Sequence, residues 1–144
     1  DGSEAYEVPL REELGFLESY LEIERARFGG RLSYGMRVPD ELMEAQVPNL
    51  ILQPLVENAL RHGLAARARP GQVEIRALRQ GDQLQLTVRD DGCGLRPGAT
   101  ERVGLSNTRA RLALMYPARH RFDLRDAPDG GVIAELTLPL RTRP

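Results

Sequence analysis

Lysine is missing from this chain, and all twenty of its basic residues are arginine. Any cationic contact to a phosphate must therefore come from Arg or His. A single cysteine, Cys93, excludes an internal disulfide and any zinc or iron–sulfur centre built from several thiolates. Only two histidines occur, His62 and His120, too far apart in sequence to suggest a histidine metal site. No apolar run approaches the roughly 20 residues that span a bilayer, and no signal peptide opens the sequence. A cytosolic domain is expected. The formal net charge of −1 leaves no electrostatic footprint for DNA, RNA or an anionic membrane. Internal repeats and low-complexity tracts are also absent.

What remains is a chain of 144 residues, the size of one domain with one core. Its polar start, residues 1–9, is expected to be a linker or the edge of a larger protein, and residues 141–144 a tail. Leu14, Leu17 and Leu21, with Phe16, Tyr20 and Ile23 nearby, predict a helix over 10–28 that Gly29-Gly30 ends. Residues 32–38 alternate weakly, as a strand would, and Pro39-Asp40 turns the chain. Residues 48–63 carry a helical stripe of Leu52, Leu55, Val56, Ala59 and Leu60. Pro54 conflicts with that helix, because an interior proline costs about 3 kcal/mol. Either the helix kinks there or it begins there.

Two alternating strands follow at 72–78 and 83–90, joined by Gly81-Asp82. A glycine-rich loop spans 91–103, a third helix 105–116, and a strand pair 121–125 and 132–138 closes around Asp129-Gly130-Gly131. Hairpin-linked strands imply a mixed, mostly antiparallel sheet. Three amphipathic helices need one face to cover. Residues 10–140 are therefore expected to form a two-layer α/β sandwich.

Three constellations carry chemistry. In Glu57-Asn58-Ala59-Leu60-Arg61-His62-Gly63, Asn58 and His62 fall about 40° apart on an ideal helix, at the border of its apolar stripe. An amide oxygen there suits Mg²⁺, which prefers oxygen ligands and keeps several waters. Arg61 and His62 can reach phosphate oxygens. Glu57 points about 100° from Asn58 and is suited to orienting a neighbour or a water. The segment is equally compatible with an ordinary polar helix end. In Asp90-Asp91-Gly92-Cys93-Gly94, a carboxylate ends a strand beside glycines that let backbone approach a flat base; a plain acidic turn fits too. Gly104-Leu105-Ser106-Asn107 opens a helix, whose free amides favour phosphate, with Arg96 and Arg102 in the loop before it.

Together these stretches resemble the GHKL ATPases. Leu52-Gln53-Pro54-Leu55-Val56-Glu57-Asn58-Ala59-Leu60-Arg61-His62-Gly63 resembles their N box, in the form of LytS-like sensor histidine kinases. Asp90 to Gly94 is similar to their first glycine box, and Gly104 to Leu112 to the second. The helix carrying Leu10 to Leu14, Tyr20 to Ile23 and Arg27-Phe28 is similar to the one preceding that catalytic domain. The resemblance covers nearly the whole chain and implies the Bergerat ATP-binding fold, with ATP and Mg²⁺ as ligands. It implies that Asn58 helps to bind Mg²⁺, that Asp90 recognises the adenine amine, and that Arg61 and His62 lie near the phosphates. Gly92, Gly94 and Gly104 would give backbone room, and Leu105 and Asn107 belong to the phosphate-facing helix start. Two positions depart from the pattern. Arg102 stands where a glycine is usual, and Val132 stands where a threonine normally supports the adenine-binding carboxylate.

The same resemblance implies a phosphate-accepting histidine on an upstream dimerisation segment, and a response regulator as partner. Neither His62 nor His120 fits that acceptor. The chain is thus expected to bind ATP as the catalytic domain of a histidine kinase, from a homodimeric and often membrane-anchored parent, without phosphorylating itself efficiently. Two alternatives share the fold: an anti-sigma-factor-type serine kinase, and a non-catalytic nucleotide-sensing module.

Overall fold

The computed structural model describes residues 6–64, 70–92 and 103–142. Helix α1, Leu10–Arg27, places Leu10, Leu14, Leu17 and Leu21 on its buried face. Glu12 and Glu13 lie in its first turn and Arg25 and Arg27 in its last, each sign complementing the helix dipole. The helix ends in a Schellman arrangement: Gly29 N–H bonds the Ala26 carbonyl at 3.1 Å and Gly30 N–H the Arg25 carbonyl at 3.2 Å. Gly29 has φ +63°, which a glycine adopts without steric cost.

The main sheet has five strands in the order β2-β4-β5-β7-β6: Leu32–Arg37, Gly71–Gln80, Gln83–Asp90, Val132–Pro139 and Arg121–Asp126. The β2–β4 pair is parallel and the other three pairs are antiparallel. Alternation divides the sheet cleanly. Val73, Ile75 and Ala77 of β4, Leu84, Leu86 and Val88 of β5, and Ala134, Leu136 and Leu138 of β7 are all buried and join one core with the leucines of α1. Helix α2, Gln53–Asn58, adds Leu55 and Val56, and helix α3, Val103–Met115, adds Leu105 and Leu112. Each fully buried leucine contributes about 1.5–3 kcal/mol. The opposite face carries Arg37, Glu74, Arg76, Arg125 and Glu135 in ion pairs. The α/β sandwich with a mixed sheet is as expected.

Three expectations are corrected. Residues 48–63 do not form one helix. Pro48 ends a short strand β3, Gln46–Pro48; α2 starts at Gln53 with Pro54 in its first turn; and Ala59–Leu64 continues as a π-helical turn. Pro54 thus sits where its missing N–H costs nothing. Residues 1–9 do not remain a linker to their end: Glu7–Pro9 form strand β1, antiparallel to β3, with Val8 buried. Residues 141 and 142 are likewise tied in, since the Arg141 carbonyl accepts from Gln46 N–H and Thr142 bridges to Ala45. Strands of three residues are too short for alternation to announce them.

Candidate functional site

Asp90 is the last residue of β5, opposite Val73 of β4. It continues the inward series of Leu84, Leu86 and Val88, so its carboxylate lies on the helix-covered side, only 5% exposed. One oxygen, Oδ1, accepts the Gly92 N–H at 2.8 Å. The neighbouring Asp91 acts on the sheet instead. Its Oδ1 accepts the Gln72 N–H at 2.9 Å and stitches the strand end to β4.

The turn between β6 and β7 presses on this point. Gly131 has φ +89°, and a Cβ added there would lie 1.8 Å from the Asp90 carbonyl oxygen. Only glycine permits that approach. Val132 follows, buried at the start of β7, in the place where a hydroxyl was expected beside the carboxylate. Gly131 was not singled out from the sequence for this role. The Gly130-Gly131 pair before the last strand was the available signal.

Asn58 ends α2 and is half-buried. The π-helical turn that follows packs on β4 and β5, and α2 packs on α3. The turn's wider i→i+5 winding means that four residues fall short of a full rotation, so the ideal-helix angle between Asn58 and His62 does not hold. His62 lies on this turn, with its side chain outside the described residues. Glu57 accepts from Gln53 Nε2 at 3.0 Å. Glu57, Leu60 and Arg61 line a groove of about 460 Å³ with Tyr20, Glu24 and Phe28 of the α1 side, and neither Asn58 nor Asp90 borders it. Burial first, then the charges of Glu24 and Glu57, pushes the Tyr20 phenol up to about 12. Glu57 and Arg61 therefore share a groove with α1.

Gly104 and Leu105 begin α3; Leu105 is fully buried and Asn107 exposed. The helix is anchored by Arg109, which donates to the Phe122 carbonyl at 2.8 Å and stacks 4.7 Å from that ring. Gly92 is buried at the end of its described segment. Gly94, Arg96, Arg102 and Cys93 fall outside the described residues. His120 is half-buried, its Nδ1 donating to the Tyr116 carbonyl at 2.7 Å.

The start of α2 depends on two side chains that the sequence did not flag. Glu13 of α1 is 2% exposed and accepts the N–H groups of Leu50 and Leu52 at 2.9 and 2.8 Å. Arg111 of α3 donates to the Asn49 carbonyl at 2.6 Å. Leu50 between them adopts φ +58°, uncommon for a bulky residue. The available signal was a glutamate falling within the leucine stripe of α1.

An α/β sandwich with this mixed sheet has clear relatives. Residues 44–142 match the family model described as histidine kinase-, DNA gyrase B-, and HSP90-like ATPase. The sensor histidine kinase BtsS of Escherichia coli K12 is 35% identical over 136 residues, covering 93% of this chain and 24% of that protein. The sensor protein LytS of Bacillus cereus is 35% identical over 97 residues, covering 67% and 16%. The histidine kinase domain of the Erythrobacter litoralis blue-light activated kinase EL346 superposes with TM-score 0.71 at 23% identity, covering 94% of this chain and 64% of that one. Histidine kinase ThkA, in complex with response regulator TrrA, superposes with TM-score 0.68 at 15% identity, covering 94% and 41%. The two superpositions speak to the fold. The chain belongs to the histidine kinase-, DNA gyrase B- and HSP90-like ATPase family, and sensor histidine kinases, LytS among them, are similar to it in sequence. It spans about a quarter of BtsS and about a sixth of LytS. Among the described residues, no helix is long and apolar enough to cross a membrane.

Proposed function

We propose that this chain is the Mg-ATP-binding catalytic domain of a two-component sensor histidine kinase, and that it donates the γ-phosphate to a histidine on an upstream dimerisation segment. The observation that carries this is the side of the sheet on which Asp90 lies. Its carboxylate continues the inward face of β5, the face against which the π-helical turn after Asn58 packs. In this reading Asp90 accepts a hydrogen bond from the adenine amine on the carboxylate whose Oδ1 also holds the Gly92 N–H. Gly92 and Gly94 let backbone approach the base, and Gly104, Leu105 and Asn107 offer the start of α3 to the phosphates.

The donor chemistry fits Mg²⁺. Among the described residues no group of three His, Cys, Asp or Glu side chains could cage a metal. A half-buried amide oxygen at the end of α2 suits an ion that keeps its waters and takes its remaining ligands from phosphate. Asn58 would hold it, and the ion would neutralise the charge of the transferring group. His62, on the next turn, would serve the phosphate end; Arg61 and Glu57 line the groove against α1, where Glu57 would orient a neighbour or water. Arg102, in place of a glycine, adds a cation to the segment before α3. The chain's work is positioning and charge neutralisation, with little covalent chemistry of its own.

The natural partners are then ATP, a histidine-bearing segment of the same protein in its homodimer, and a response regulator. ThkA, a neighbour in fold, is known in complex with one. The domain would act on the cytoplasmic side of a kinase that is often membrane-anchored. Mixing this chain with a separately supplied dimerisation segment and γ-labelled ATP tests the proposal. Label is expected as acid-labile phosphohistidine on the segment. Acid-stable phosphoserine on a partner, or binding without any transfer, would contradict it.

A further inference from the structure

We infer that Glu13 and Arg111 are positioning residues for the nucleotide site: they fix the turn at 49–52 from which α2 springs, and so set where Asn58 sits. The inference rests on the nucleotide-binding reading above and deepens it.

Helix α2 has six residues, about 9 Å of rise. A shift at its start is therefore carried directly to Asn58 at its end. The N-terminus of such a helix presents unpaired N–H groups, and a Ser, Thr, Asp or Asn at the cap commonly satisfies one locally. Here the cap is Leu52, which has no side-chain acceptor. The cap's own N–H goes to Glu13, 39 residues earlier, and the Leu50 N–H goes to the second oxygen of the same carboxylate. From the other side Arg111 takes the Asn49 carbonyl. The turn is thus gripped by α1 through its donors and by α3 through an acceptor.

A purely stabilising role is a poor account of this arrangement. Burial raises the Glu13 carboxyl above its ordinary value in spite of the two N–H bonds and the Arg111 charge. A carboxylate is therefore kept in an environment that disfavours its ionised form. Leu50 is also held left-handed, a conformation that persists only where surroundings over-determine it. A side-chain cap at position 52 would bond an amide further into the helix and leave the Leu50 and Leu52 N–H groups to other partners. What the long-range grip adds is registry: three helices meet at one turn, and the turn leads straight to Asn58.

The test compares two ligands on the folded domain, Mg-ATP and adenosine, by calorimetry, alongside thermal melting. Adenosine engages only the Asp90 end. Glu13→Gln is expected to weaken Mg-ATP binding about tenfold while adenosine affinity stays within about twofold. In an Asn58→Ala background it should have no further effect on Mg-ATP, because the two act through one contact. Should Glu13→Gln fail to fold, Arg111→Lys gives the same comparison with a milder change. Equal loss of both ligands, no loss of either, or full additivity with Asn58→Ala would overturn the inference. A wild-type domain that binds Mg-ATP no more tightly than adenosine, or an Asn58→Ala variant that keeps the preference, would instead refute the nucleotide reading itself and the inference with it.

Discussion

The two ends of the candidate site are built in different ways. At the Asp90 end the placement is made by backbone. A strand terminus is hydrogen-bonded in register to β4, an adjacent N–H holds the carboxylate, and Gly131 lies where no Cβ could fit. At the Asn58 end the placement is made by side chains. A six-residue helix, preceded by a left-handed leucine and followed by a π-helical turn, is set by a glutamate and an arginine from two other helices. The contrast has a physical cause. A sheet fixes its own geometry through the ladder, whereas a short helix makes too few bonds of its own to fix its orientation. The Asp90 end is therefore rigid by construction, and the Asn58 end depends on packing between helices.

Breaking the rigid end should have the largest effect. Gly131→Ala would force the Asp90 peptide aside and impose a positive φ on a residue with a Cβ. A loss of about 2–4 kcal/mol in stability is expected, with loss of adenosine binding. Denaturant melts and calorimetry measure both, and a variant with wild-type stability would mean that the turn is not seated where it is described. Asp90→Asn is subtler. The fold should survive, while nucleotide affinity falls about tenfold or more, because the adenine amine would face an amide in place of a charged acceptor. Unchanged affinity would remove Asp90 from base recognition.

The side-chain-built end carries a pH signature. The Glu13 carboxyl is raised above its ordinary value of 4.5, chiefly by burial. The folded state thus holds this proton more tightly than the unfolded chain does. The stability linked to it is complete below about pH 4.5 and is lost as pH rises through the folded value. Wild type minus Glu13→Gln stability, measured by denaturant melts across that range, should accordingly decline with rising pH. A flat or rising difference would contradict the assignment. The smallest effect is expected on the exposed surface: Arg11→Ala, which breaks the Arg11–Glu44 pair, should change stability by less than about 1 kcal/mol.

The same contrast decides what could be read from the sequence. Helix α1, strands β4 to β7 and the mixed sheet follow from periodicity and from glycines at turns, which are local signals. Asp90 and Asn58 stand out as candidates because the motifs around them, also local signals, resemble those of a known family. The strands β1 and β3 are not legible, since three residues give no period and their pairing joins segments about 40 positions apart. The early end of the N-box helix was half visible in Pro54. The π-helical winding after Asn58 was not, because it arises from packing on β4 and β5. Glu13 was hidden for the same reason. A helical wheel sets it within the leucine stripe, but only the tertiary structure reveals the two N–H groups that it receives.

A crystal structure of the domain with Mg²⁺ and a non-hydrolysable ATP analogue is the most direct test of the two-ended site. The adenine amine should lie about 3 Å from an Asp90 carboxylate oxygen, and the metal on the phosphates should be ligated by the Asn58 amide oxygen. An analogue bound with its base away from Asp90, or with its metal held by other side chains, would contradict the assignment.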